Sequence, residues 1–174
     1  MWLGHNDALT IGDTPILESL NPWLFWGEWG FGITGESLQQ NVLSRHLGKL
    51  AEDTPNAVII VERIREVLLE HGYSKHIDES AIPSFGIWGI LVHKKGKIWD
   101  VGSRLDLTEI PDNQLWARGS GADFALGADK ALSDLGLTTE QRVQKATDSA
   151  IKCDVYCPGE TNIIHFTNKG EIPT

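Results

Sequence analysis

The feature that most restricts the fold is the order in which helical and extended periodicities follow one another. Leu38, Val42, Leu43, His46, Leu47 and Leu50 recur at three- and four-residue steps, which places them on one stripe of a helix beginning near Gly35. Thr54-Pro55-Asn56 then caps a second helix with Ala57, Ile60, Val61, Ile64, Val67, Leu68 and His71 inward, and Gly72 stands in the C′ position that glycine favours. A second pair lies far downstream. It comprises a helix over about Ala122 to Leu135, ended by Gly136, and another opened by the capping box Thr138-Thr139-Glu140-Gln141, with Val143, Ala146, Ala150 and Ile151 inward.

Extended segments fill the remaining chain. Trp2 to Thr10 and Thr14 to Leu20 flank a turn at Ile11-Gly12-Asp13, and after a break at Asn21-Pro22 the run Trp23 to Thr34 is apolar and punctuated by glycine. Tyr73 to Ser84 reads as a polar connection. Phe85 to His93 and Lys97 to Val101 form a hairpin around Lys94-Lys95-Gly96. Trp116-Ala117-Arg118 reads as a short strand, Ile163 to Thr167 as a closing strand, and residues 168–174 as a loose tail. Strands and helices in segregated runs argue for an α+β fold rather than a doubly wound parallel sheet. Two helix pairs separated by strands suggest a single domain over residues 1–174, built as a four-layer αββα sandwich with the helices outside.

Composition limits the function classes. At 174 residues the chain has enough material for one buried core. A net charge of -9 gives the wrong electrostatic sign for non-specific nucleic-acid binding, so nucleic acid is not an expected partner. The start of the chain has neither a basic region nor an apolar stretch of the secretory kind, and no run is long enough to span a bilayer. The expectation is a cytoplasmic or virion protein without a membrane partner.

Metal and cofactor chemistry finds little support in the sequence. Cys153 and Cys157 lie four apart and lack the further ligands of a structural zinc site. His46 lies on an apolar helical face, a helix stop separates His71 from His76, and His5, His93 and His165 stand alone. Gly119 to Gly127 is glycine-rich but has no Lys-Ser/Thr of a phosphate-binding loop. No metal and no cofactor are expected. Tryptophan is the compositional oddity, with seven in the chain and three of them, Trp23, Trp26 and Trp29, inside ten residues. Core packing accounts for most tryptophans, but a cluster this dense also reads as a set of anchors for another subunit.

One segment carries a resemblance. Gly119-Ser120-Gly121-Ala122-Asp123-Phe124-Ala125-Leu126-Gly127-Ala128, a capped helix, and then Ala150-Ile151-Lys152-Cys153-Asp154 closely resemble the C-terminal half of proteasome β-type subunits and their bacterial and phage relatives. These belong to the N-terminal-nucleophile hydrolases. Gly4-His5-Asn6-Asp7-Ala8 resembles the Gly-Gly-Asp-Ser-Ala type of motif in bacterial members, and Gly30-Phe31-Gly32 resembles their Gly-Phe-Ala-Gly. The resemblance runs from Trp2 to about Phe166.

The resemblance implies the αββα sandwich already read from the element order. It also implies a chemistry in which the first residue, Thr, Ser or Cys, is the nucleophile and its own α-amine the base, poised by a pKa of about 7.7 to 8.0. Carried over position by position, most of that machinery is missing. The strand that would bear the nucleophile, about one strand upstream of Gly4, is absent from a chain starting Met1-Trp2. Asn6 stands where the family commonly has an acidic residue, Pro22 about where it has its catalytic lysine, and Ile33 or Thr34 at the oxyanion glycine. Ser120 and Asp154 match positions that hydrogen-bond around the terminal amine, and Cys157 falls where a supporting serine usually sits.

The expectation is therefore a catalytically inactive protein with a vestigial set of Asn6, Ser120, Asp154 and Cys157. Its role would be that of a self-associating or partner-binding subunit, a homo-oligomer or part of a larger assembly. The alternative is an active threonine-type peptidase or amidase whose true N-terminus lies upstream. A third class, a small-molecule binding module built on the cleft near Ser120 and Asp154, is also open.

Overall fold

The computed structural model describes residues 2–6, 9–11, 14–16, 23–35, 37–46, 56–73, 75–76, 83–112, 114–157 and 159–165. These residues form two compact units, one of residues 23–112 and one that combines residues 1–22 with 113–174. Three strands open the chain, β1 (Trp2–Asn6), β2 (Leu9–Ile11) and β3 (Thr14–Ile16), described here by backbone alone. The rest follow in the order β4 (Trp23–Trp26), β5 (Trp29–Gly35), α1 (Ser37–His46), α2 (Ala57–Glu70), β6 (Lys75–His76), β7 (Pro83–Ser84), β8 (Ile87–His93), β9 (Ile98–Val101), β10 (Leu107–Glu109), α3 (Ala122–Leu132), α4 (Thr139–Cys153) and β11 (Thr161–His165).

In the unit of residues 23–112, an antiparallel sheet runs in the order β10-β9-β8-β5-β4. Alternation along β5 sends Trp29, Phe31 and Ile33 to one face, where they meet Ile87 and Leu91 of β8, Val101 of β9, and Leu43, Ala57, Ile60, Val61, Ile64 and Leu68 of the helices α1 and α2. Burying each large side chain here is worth about 1.5–3 kcal/mol. Gln39 ties α1 to this core by donating from Nε2 to the carbonyl of Phe85 at 3.2 Å. Helix α2 is bounded as its sequence dictates. The Asn56 side chain accepts from the Ile59 N–H at 3.0 Å, and Gly72 at φ +75° lets Tyr73 N–H reach the Leu68 carbonyl and Gly72 N–H that of Leu69, a Schellman stop.

In the other unit, β1 pairs antiparallel with β11, from Trp2 opposite His165 to Asn6 opposite Thr161, and α4 packs on both strands. Helices α3 and α4 lie together across Ala125, Ala146 and Ala150, against which Leu115 and Ala117 pack. The small residues permit close approach, and an Arg142–Asp129 pair, with two hydrogen bonds of 2.8 Å, fixes the helices side by side. Thr138 and Gln141 complete the capping box of α4.

Several sequence expectations need correction. The run Trp2 to Thr10 is two strands, and Ile11 is the last residue of β2, which pairs with β3. Trp23 to Thr34 is a hairpin, because Gly27 at φ +50° turns the chain between Trp26 and Trp29. The helix after it begins at Ser37, since Gly35 at φ +126° still belongs to β5. Within the connection Tyr73 to Ser84, β6 and β7 form a short ladder. Gly86 at φ +68° bends the chain before β8, so Phe85 is a core side chain outside the strand. Trp116 to Arg118 is irregular, and Ala117 serves the helix core instead of a ladder. The expected positions Leu47, Leu50, Thr54, the Gly12-Asp13 turn and residues 168–174 lie outside the described residues.

Candidate functional site

The residues that the resemblance singles out meet where α3 begins and α4 ends. Gly119, at φ +109°, turns the chain so that its carbonyl accepts from Ala122 N–H at 3.1 Å, and Ser120 is left at the exposed tip. Gly121 follows as the residue before α3, and only glycine fits there. A Cβ on it would stand 2.8 Å from Ala150 Cβ and 2.9 Å from Cys157 Sγ. At the other end of the site, Asp154 caps α4, its N–H donating to the Ala150 carbonyl at 2.9 Å. The chain then folds back, with Cys157 N–H donating to the Asp154 carbonyl at 3.0 Å.

Three side chains close on one another within this frame. Asp154, 8% exposed, accepts from Tyr156 N–H through Oδ1 at 2.9 Å and from the Cys157 thiol through Oδ2 at 3.3 Å. Ser120 Oγ lies 3.5 Å from Cys157 Sγ and also hydrogen-bonds the Asp154 carboxylate. Burial is the largest single influence on Asp154 and opposes ionisation. The hydrogen bonds from Ser120, Tyr156 and Cys157 together outweigh it, so its pKa is lowered and the carboxylate is held as the anion. Cys157 moves the other way. Burial is the largest influence and raises the thiol pKa; the hydrogen bond with Ser120 comes next and opposes it, followed by the hydrogen bond to Asp154 and its negative charge, which raise it, and the Gly121 N–H, which lowers it.

The structure thus brings together Ser120, Asp154 and Cys157 of the expected set. Asn6 lies in β1 opposite Thr161, and its side chain is outside the described residues. Sequence reasoning missed Gly121 and the Tyr156 N–H. The glycine on each side of Ser120 was the available signal for the first, whereas nothing in the sequence marks a backbone donor. Chemically the cluster holds an anionic carboxylate, a hydroxyl and a neutral thiol. No cation is among the groups that shift Asp154 or Cys157; the carboxylate is a weak base, its pKa being lowered, and the thiol is held in its neutral form. No group of three or more His, Cys, Asp or Glu among the described residues could hold a metal ion, and no described helix is long and apolar enough to cross a membrane.

The three tryptophans lie elsewhere, on the β4–β5 hairpin. Trp23, 7% exposed, covers Gly32 on the sheet face opposite Phe31, where its ring stacks with Phe25 at 6.0 Å. Trp29, 3% exposed, and the half-buried Trp26 sit directly opposite each other on the core face. Trp23 and Trp29 are buried, and Trp26 is partly buried.

No protein-family model matches the sequence, and no curated protein matches it. Solved structures do. The chain is similar to Thiobacillus denitrificans BPH in complex with epoxomicin, at 17% identity over 95% of this chain and 93% of that one, with a TM-score of 0.75. A second structure of Thiobacillus denitrificans BPH gives 16% identity, 96% and 93% coverage and the same TM-score. The HslV of Trypanosoma brucei is similar at 18% identity over 93% of this chain and 90% of that one, with a TM-score of 0.65. With its mixed helices and antiparallel sheet in the expected order, the chain has the proteasome-like α+β fold of the N-terminal-nucleophile hydrolases.

Proposed function

We propose that the whole chain acts as one subunit of a self-associating, proteasome-like assembly, and that its Ser120–Asp154–Cys157 site carries out no covalent hydrolysis. The observation that carries this reading is the closure of the site on itself. Asp154 spends its lone pairs on Tyr156, Cys157 and Ser120, and the thiol beside it is pushed toward the neutral form. Nucleophilic catalysis needs an activated nucleophile with a base in reach; the lowered pKa makes the Asp154 carboxylate a weak base, and the thiol it touches is held neutral. The fold hosts a role by analogy alone. A subunit role is favoured because exposed Leu38, Val58 and Leu69 on α1 and α2 leave apolar surface uncovered.

Two measurements test the proposal. The native mass of the purified protein should be a multiple of 19.2 kDa, and a strict monomer at micromolar concentration removes the assembly role. Intact mass after incubation with epoxomicin, the compound held by the Thiobacillus protein, should be unchanged. A covalent adduct, or turnover of a peptide or amide, overturns the inactive reading in favour of the active peptidase.

A further inference from the structure

The clearest chemistry outside that site joins two histidines 25 positions apart in sequence. His46 stands in the last described turn of α1 and His71 caps the C-terminus of α2, yet their rings lie 4.7 Å apart, centre to centre, and are tilted by 55°. The His71 Nδ1 is 2.9 Å from the Val67 carbonyl. A carbonyl only accepts, so Nδ1 carries the proton and Nε2 of the neutral ring keeps its lone pair. A ring N–H held on a backbone carbonyl, with the other nitrogen free, is the arrangement by which proteins orient a metal-ligating histidine. Neither ring makes another hydrogen bond among the described residues, and both are at least partly exposed.

We propose that His46 and His71 form a two-imidazole site for a divalent transition-metal ion of the nickel, copper or zinc type, with water completing the coordination. Metal–nitrogen bonds of about 2.0–2.1 Å at a common ion put two imidazole centres about 5 Å apart, and the observed separation is close to this. Mutual tilt, rather than parallel stacking, lets two rings turn an edge toward one point. His71 also lies at the end of α2, where the helix dipole presents partial negative charge to a cation. The ion would staple α1 to α2, so binding would raise the stability of the folded chain.

The test uses the full chain freed of any histidine tag and of metal. Nickel is the probe, because imidazole suits it and the thiols of Cys153 and Cys157 compete less for it than for zinc. Titration calorimetry should show one ion per chain, and nickel should raise the Tm. His46→Gln and His71→Gln should each weaken binding by about tenfold or more, and the double variant should bind little worse than either single one, since both lose the same ion. Circular dichroism checks that each variant is folded; both positions lie at the protein surface, so a folded product is expected. His5, His76, His93 and His165 are retained throughout and serve as the internal control. Affinity unchanged in either single variant, or additive losses in the double variant, overturns the shared site and leaves two rings in simple contact.

Discussion

Asp154 and Cys157 are bound to each other, carboxylate to thiol, at 3.3 Å, and each reinforces the charge state of the other. The carboxylate is stabilised as an anion, the thiol as a neutral donor. Asp154→Asn should therefore release the thiol. With the negative charge gone, Cys157 ionises more readily although burial still opposes it, and its alkylation by iodoacetamide at pH 8 should quicken by about threefold to tenfold. The comparison is made in a Cys153→Ser background, because Cys153 is exposed and would dominate the signal. An unchanged or slower rate would show that Asp154 does not control the thiol.

Gly89→Ala should be among the most damaging small substitutions in the sheet. The added Cβ would stand 2.3 Å from the Phe31 ring and 2.6 Å from the Gly32 carbonyl oxygen. Phe31 is fully buried and cannot swing aside. Overpacking of this kind costs about 1–3 kcal/mol, to be read as a lower urea midpoint. A loss below about 0.5 kcal/mol would mean that the β5–β8 contact is looser than described.

Helix capping gives a smaller effect. Thr138→Ala removes the hydroxyl that accepts from Gln141 N–H at 3.2 Å and leaves only the other half of the capping box, in which the backbone N–H of position 138 donates to Gln141 Oε1 at 3.0 Å. A loss of about 1 kcal/mol is expected from chemical denaturation. Thr138→Asn, which keeps an acceptor, should recover most of it.

Stability should fall on mild acidification through His93. Its Nε2–H faces Glu28 Oε2 at 3.2 Å, while Nδ1 accepts from Lys95 N–H at 3.2 Å, so the folded chain holds the neutral ring. Burial, with Lys95 and Lys94, lowers its pKa from 6.5 against the opposing pull of Glu28. A folded pKa below the unfolded one means that this contribution is complete above pH 6.5 and is lost as pH falls below it. Glu28, whose pKa is lowered chiefly by its hydrogen bond from Lys94, adds a loss of the same sign below pH 4.5. Thermal melts of the native protein should therefore fall more steeply between pH 7 and 5.5 than those of His93→Gln. Parallel curves would remove His93 from the account.

What was legible in the sequence is what local interactions decide. The stripe of α2, its Asn56 cap, the Gly72 stop and the Thr138–Gln141 box follow from periods and hydrogen bonds spanning five residues or fewer. The α+β class follows from the order of such segments. Register and turns were less visible, as at Gly27, because a hairpin turn inside an apolar run carries only a glycine as its mark. Tertiary structure alone settled the rest. It set Trp23 over Gly32 and Trp26 opposite Trp29. It closed Ser120 onto Cys157 across 37 residues and brought His46 to His71. Such contacts depend on how whole elements pack, and no short stretch of chain contains both partners.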